Sequence, residues 1–303
     1  MSGTLGTVRT VRTLVCAATV VLVIAARPMA QGQDFSKVEI KTTKVAGNFY
    51  VLEGQGGAIG VLAGPDGVLM VDSQFAPLTE KIVAAIKQVS DGRIRYLINT
   101  HQHPDHTGGN ENLAKMGVTI IARDELRSGL VRAGAATPPS TATLPLLTYR
   151  GALTFHMNGE DVQLIAVPVA HTDGDTMVYF PNANVIMTGD YYRSVGYPNI
   201  DRANGGSLKG LLAAFDLTIE RAAPTTKIVP GHGAMVDETA VMAHRDMVIA
   251  IRDRVAALIK QGKTQAEVIA AKPQADYDAK VPQPGTTGDR FVGQLYAELT
   301  GAK

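Results

Sequence analysis

From Val38 to Val71 the chain places short apolar runs, "NFYVLEG", "GAIGVLAG" and "GVLMVDS", between Gly, Pro and Asp turns. That spacing predicts successive hairpin strands, a β-meander. In "PLTEKIVAAIKQVS", Ile82, Ala85 and Ile86 fall at helical spacing, and "IRYLINT" follows as a strand with a buried character. "VTIIAR" reads as another strand and "DELRSGLVRAG" as a helix capped by Asp124. The Pro, Thr and Ser residues of "ATPPSTATLP" predict a surface loop bordering a cleft.

Three more strands are expected in "DVQLIAVPV", "TMVYFP" and "NVIMTG", then a helix from a Ser207 cap to Arg221, and the strand "KIVPG". After Asp237, Val248, Ile251, Val255 and Leu258 sit at i, i+3, i+7 and i+10, which predicts a long amphipathic helix. "TQAEVIAAK" and "GDRFVGQLYAELTG" add further helical pieces. No fixed-period repeat interrupts this order. Two runs of strands, each interleaved with or followed by helices, predict two sheets packed face to face with helices outside, in one domain.

Composition changes the picture mainly at the amino terminus. Of 303 residues, 45% are hydrophobic, enough for a sizeable core. Residues 1–30 read as a secretory signal peptide: Arg9 and Arg12 precede the short apolar run "TLVCAATVVLVIAA", and small Ala30 marks a cleavage point. The run is short for a membrane anchor and Pro28 interrupts its end. An exported chain of residues 31–303, periplasmic or secreted and not inserted in the membrane, is therefore expected. Cys16, the only cysteine, lies in the leader, so the mature chain offers no thiol for a disulfide, a metal or a nucleophile. Loss of Arg9, Arg12 and Arg27, with no acid, takes the formal charge from +1 to −2. No basic stripe remains, which argues against nucleic acid as a partner and leaves a small molecule.

Chemistry concentrates where apolar strands end. "THQHPDHTGG" holds three of the seven histidines. His101 and His103 project the same way from extended backbone, while Pro104 turns the chain so that Asp105 and His106 can point into the same pocket. His171, Asp190 and His232 each follow the end of an apolar strand as well. Five of seven histidines in one repeated context point to bound cations, whereas His156 and His244 lack that context and read as ordinary side chains.

The order "HQHPDH", His171, Asp190, His232 resembles the metallo-β-lactamase superfamily of two-metal hydrolases. The resemblance implies an α/β fold, a four-layer αββα sandwich of two mixed β-sheets flanked by helices. It further implies one metal on His101, His103 and His171, a second on Asp105, His106 and His232, and Asp190 bridging them with a water or hydroxide. Zinc, two ions per chain, is the implied metal; iron or manganese also suits an all-nitrogen and oxygen site. Asp105 and Asp190 are the expected catalytic carboxylates, Asp105 orienting the hydroxide while serving as ligand.

The implied reaction is hydrolysis at a carbonyl: an amide or β-lactam, a lactone or a thioester. Where the zinc β-lactamases resembling clinical enzymes carry cysteine, this chain carries Asp190, as do the hydroxyacylglutathione hydrolases. Arg193 stands where those lactamases hold a substrate carboxylate with lysine, and where the acyl-homoserine lactonases carry a catalytic tyrosine. A β-lactamase using Arg193 is thus one alternative. Asn199 is a candidate for polarising the carbonyl, Tyr191 and Tyr192 are near enough in sequence to add a hydroxyl, and the helix after Ser207 could offer its first amides to an anion. The export and the absence of a basic carboxy-terminal cluster argue against a glutathione substrate. An iron-dependent redox enzyme of the persulfide dioxygenase kind and a non-catalytic metal-binding protein are the readings from other classes.

Overall fold

In this computed structural model the described residues are 1, 3, 34–134 and 140–302. The predicted leader, Met1 and Gly3 aside, and residues 135–139 of the predicted loop lie outside them. No helix among the described residues is long and apolar enough to cross a membrane.

The unit from Phe35 onward begins with β1 (Lys41–Ala46), β2 (Phe49–Glu53), β3 (Ile59–Gly64) and β4 (Gly67–Val71), then α1 (Thr79–Lys87), β5 (Ile94–Ile98), α2 (Pro104–Thr107), α3 (Asn110–Lys115), β6 (Thr119–Arg123), α4 (Asp124–Ala133) and β7 (Leu147–Tyr149). A second run follows: β8 (Ala152–Met157), β9 (Glu160–Ala166), β10 (Thr176–Phe180), β11 (Val185–Met187), α5 (Leu208–Arg221) and β12 (Lys227–Val229). Helices α6 (Glu238–Lys260), α7 (Gln265–Ala270), α8 (Ala275–Asp278) and α9 (Gly288–Thr300) close the chain.

Among the described residues β1 to β7 form one sheet in sequence order, and the order β12-β11-β10-β9-β8 forms the other. Both sheets are mixed: β1 to β4 pair antiparallel and β4 to β7 parallel, while only β11 and β12 run parallel in the second sheet.

Side-chain alternation along each strand separates three apolar layers. Leu69 and Val71 of β4 face the second sheet, where Val178, Val185, Met187 and Val229 meet them. Their neighbours Val68 and Met70 face the other way, onto Ile82 and Ile86 of α1 and Leu113 of α3. Met177, Ile186 and Ile228 of the second sheet likewise turn outward to Leu211 and Phe215 of α5, Val248 and Ile251 of α6, and Leu295 of α9. Helix, sheet, sheet, helix is the resulting order of layers, the predicted sandwich.

Ser207 caps α5 by accepting from Gly210 N, as expected, and Asp237 caps α6 through Ala240 N. Asp124 is not a cap. The backbone is still extended at Arg123 and Asp124 is already the first helical residue, so its carboxylate accepts instead from Arg150 Nε at 2.7 Å. The described part of the Pro/Thr/Ser loop is docked: Ser140 caps a short turn at Thr141–Thr143, and Thr143 O accepts from Asn110 Nδ2 of α3 at 3.2 Å.

Candidate metal centre

Every candidate ligand sits just past the carboxyl end of a strand. His101 and His103 follow β5, with Asp105 and His106 on α2, all from the first sheet; His171 follows β9, Asp190 follows β11 and His232 follows β12, all from the second. Two groups result: His101, His103, His171 and Asp190, and Asp105, His106 and His232, with ligand atoms in each lying within 4.8 Å of one another. His103 keeps an extended backbone, φ −67° and ψ 147°, immediately before Pro104 starts α2.

Acceptors behind the rings fix which nitrogen is protonated. His171 Nδ1 donates to the backbone carbonyl of Asn199 at 2.6 Å, and His103 Nε2 to Asp201 Oδ2 at 2.8 Å. His106 Nδ1 donates to Asp72 Oδ2 at 2.7 Å. Thr100 Oγ1 gives its proton to Asp72 Oδ2 and so accepts from His101 Nδ1 at 3.2 Å. A neutral imidazole held this way presents a lone pair at its other nitrogen.

The opposite ring nitrogens converge. His171 Nε2 lies 3.0 Å from His103 Nδ1, and His106 Nε2 lies 3.4 Å from His232 Nε2. Buried His101 Nε2 has no hydrogen-bond partner among the described residues. Asp190 faces both groups: Oδ1 is 3.2 Å from His106 Nε2 and from His232 Nε2, and Oδ2 is 3.8 Å from His171 Nε2. Asp105 Oδ2 completes the second group at 3.1 Å from His232 Nε2. A tetrahedral ion with bonds of about 2.0–2.1 Å has its ligand atoms about 3.3 Å apart, so these spacings fit a cation in each group.

Charge separates the two groups. Burial pushes the His171 ring down to about 4 and the His101 ring well below the ordinary histidine value, leaving both as neutral donors. Burial also acts on His106, but Asp190, Asp72 and Asp105 outweigh it and raise that ring well above the usual value. His232 is raised against burial by Asp190 and the Asp105 hydrogen bond. Burial would raise Asp105, yet His106 and His232 bring it down to about 2, and the same two rings hold Asp190 well below its ordinary value. The second group thus demands positive charge, which divalent ions supply as well as protons do.

Two glycines leave room for this arrangement. A Cβ on Gly57 would collide with the His106 ring, and one on Gly231 would collide with Asp190 Oδ1.

The other predicted site residues are distributed differently. Arg193 is near: its Nη1 lies 4.0 Å from Asp190 Oδ2. Asn199 meets the site through its backbone carbonyl on His171, while its side-chain Oδ1 accepts from Gln294 Nε2 at 2.9 Å. Tyr191 points into the helical layer, its hydroxyl 3.0 Å from Thr218 Oγ1, and Tyr192 packs edge-on against Phe215 and His244. The first amide of α5 is already taken by an internal anion, Leu208 N donating to Glu298 Oε2 at 2.8 Å. His156 is an exposed residue paired with Asp161, as an ordinary side chain.

Sequence reasoning missed Asp72, Thr100, Asp201 and Asp175, the residues behind the ligands. Asp175 accepts from Thr172 N and Thr172 Oγ1 and so shapes the turn after His171; burial pushes its carboxyl up to about 7 despite those bonds. Only Asp72 had a usable signal, since "GVLMVDS" ends an apolar strand in a carboxylate.

Residues 52–232 match the metallo-beta-lactamase superfamily. The chain is 23% identical over 256 residues to a linear primary-alkylsulfatase of Pseudomonas sp., covering 69% of this chain and 48% of that protein. It is 28% identical over 162 residues to a hydroxyacylglutathione hydrolase of Nitrosococcus oceani, covering 52% and 55%. A stereoselective inverting sec-alkylsulfatase from Pseudomonas sp. superposes with a TM-score of 0.65 at 17% identity, over 86% of this chain and 50% of that one. The chain spans about half the length of the curated relatives it matches.

Proposed function

Because the chain belongs to the metallo-beta-lactamase superfamily, we propose that it is an exported hydrolase with two divalent ions, zinc by preference, acting on an ester, thioester or amide that carries an anionic group. The observation that carries this reading is the convergence of outward-held lone pairs, above all His171 Nε2 on His103 Nδ1 at 3.0 Å. Two ring nitrogens approach so closely only around a shared cation, a proton or a metal ion. When bound, the ions supply Lewis acidity and lower the pKa of water from 15.7 to about 7.

In this reading His101, His103 and His171 would hold one ion and Asp105, His106 and His232 the other, with Asp190, which faces both groups, as a shared ligand. Asp105 also orients the attacking water, its Oδ2 beside His232 Nε2. Arg193 binds the substrate's anion: its ionic neighbour among the described residues, Asp190, stands 4.0 Å away, and a guanidinium suits a bidentate partner. The similarity to a primary-alkylsulfatase and to a hydroxyacylglutathione hydrolase supports a substrate of that charge. Arg193 is also the observation that favours a β-lactamase reading, because it could hold a β-lactam carboxylate.

The test is hydrolysis of a chromogenic cephalosporin, a hydroxyacylglutathione and a primary alkyl sulfate by the zinc-loaded chain from Gln31 onward, each with a chelated control. Chelator-sensitive turnover of any one is expected, and the cephalosporin separates the β-lactamase reading from the others. No turnover of all three by folded, fully metallated protein overturns the proposal. Metal analysis of protein purified without added metal tests zinc, with iron as the outcome that favours a redox enzyme.

A further inference from the structure

Arg193 belongs to two places at once. Its Nη1 reaches towards Asp190, and the residue is also among those lining a cavity of about 420 Å³. The cavity walls are chiefly apolar, with Tyr192, Ala240, Met247, Val281 and Pro282 among them. That volume is of the size that holds a small organic molecule.

The polar atoms of this cavity are under-used. The Arg193 side chain is only 15% exposed, and its ionic neighbour among the described residues is Asp190 at a distant 4.0 Å. Its buried Nε has no hydrogen-bond partner there either. A guanidinium withdrawn from water without a close acceptor is costly and calls for an anion from outside. Lys280 also lines the cavity and is exposed, so a second positive charge borders the apolar chamber.

We propose that this cavity receives the apolar arm of the substrate while Arg193 holds its anionic group, so that the enzyme is selective for anionic amphiphiles over compact or uniformly polar acids. The proposal rests on the hydrolase reading for the word substrate, but not for the binding it describes. A chain entering past Arg193 would lie between α6, through Ala240 and Ala243, and the segment Tyr277 to Pro282. Burying each methylene there raises affinity about fourfold until the chamber is full.

The experiment is calorimetric binding of straight-chain carboxylates from butyrate to decanoate to the zinc-loaded protein. Affinity is expected to climb with each added methylene and then level off. Ala243 is exposed on α6 and Ala240 half-buried beside it, so Ala243→Phe and Ala240→Phe narrow the chamber without touching the interior of the fold. Both variants are expected to flatten the chain-length dependence while keeping the wild-type melting temperature and metal content. An affinity independent of chain length in the wild type, or a slope unchanged in both folded variants, overturns the proposal. A steep slope in a protein that hydrolyses nothing retains the cavity assignment and removes the hydrolase reading; turnover with a flat slope does the reverse.

Discussion

Asp201 and His103, 98 residues apart in sequence, are joined by a 2.8 Å hydrogen bond from the imidazole Nε2 to the carboxylate. Asp201 also accepts from the side chain of Asn204, and these two bonds outweigh burial to hold its carboxyl below the usual range. The pairing turns His103 Nδ1 toward His171, and loss of such a partner costs about 10–100-fold in metal affinity. Asp201→Ala is therefore expected to bind zinc more weakly by that factor, with its fold intact. A competition titration against a chromogenic chelator measures this, and wild-type affinity in the variant would refute the positioning role.

Asp190 offers one oxygen to each ligand group. Asp190→Ala removes both, and in addition strips His106 and His232 of the carboxylate that favours positive charge between them. Metal content and turnover should fall together, which elemental analysis alongside the hydrolysis assay will show. Retention of two equivalents of metal with full activity would sink the bridging assignment.

Gly231 lies against Asp190 Oδ1 with no space for a methyl group. Gly231→Ala is expected to destabilise the protein by about 1–3 kcal/mol through overpacking, and to displace the carboxylate from its two histidine neighbours. Thermal unfolding with and without zinc distinguishes the two effects: the gain in melting temperature on adding zinc should shrink. An unchanged zinc-dependent gain would show that the carboxylate can yield without leaving the site.

His244 supplies a pH signature. Burial pushes its ring down to about 4, and its buried Nε2 has no hydrogen-bond partner among the described residues. Unfolded, the ring titrates near 6.5. Between these values the unfolded chain takes up a proton that the folded chain refuses, so stability is full above about pH 6.5 and declines as pH falls toward 4, by at most about 3 kcal/mol. Denaturant unfolding of zinc-loaded wild type and His244→Phe across that range checks it: the difference between the two should change with pH below 6.5 and be constant above. A constant difference throughout would mean that the ring protonates freely in the folded state.

Interior strands were legible because burial on both faces leaves continuous apolar runs, as in "GVLMVDS" and "NVIMTG". The strands that escaped, β1, β7 and β8, all lie at sheet edges. Of β1 only Val45 is buried, and Leu147 and Thr148 of β7 are exposed, so neither carries enough apolar surface to announce itself. The candidate ligands were legible for a related reason: five of the seven histidines follow the ends of apolar strands, a repeated context that the fold brings together in two groups. Their supports were not. Asp72 and Asp201 act on rings 34 and 98 residues away, and nothing in the sequence around a loop carboxylate specifies so distant a partner.

The ligand set draws His101, His103, Asp105 and His106 from the first sheet and His171, Asp190 and His232 from the second. An ion held by either group would consequently be gripped by both sheets, a rivet through the seam of the sandwich. Neither half of the chain holds a complete set, so tight metal uptake reports that the halves have docked in register. An ion that binds only the folded chain adds stability that grows with its concentration over its dissociation constant. Withdrawing such an ion would remove that added stability at the join between the sheets.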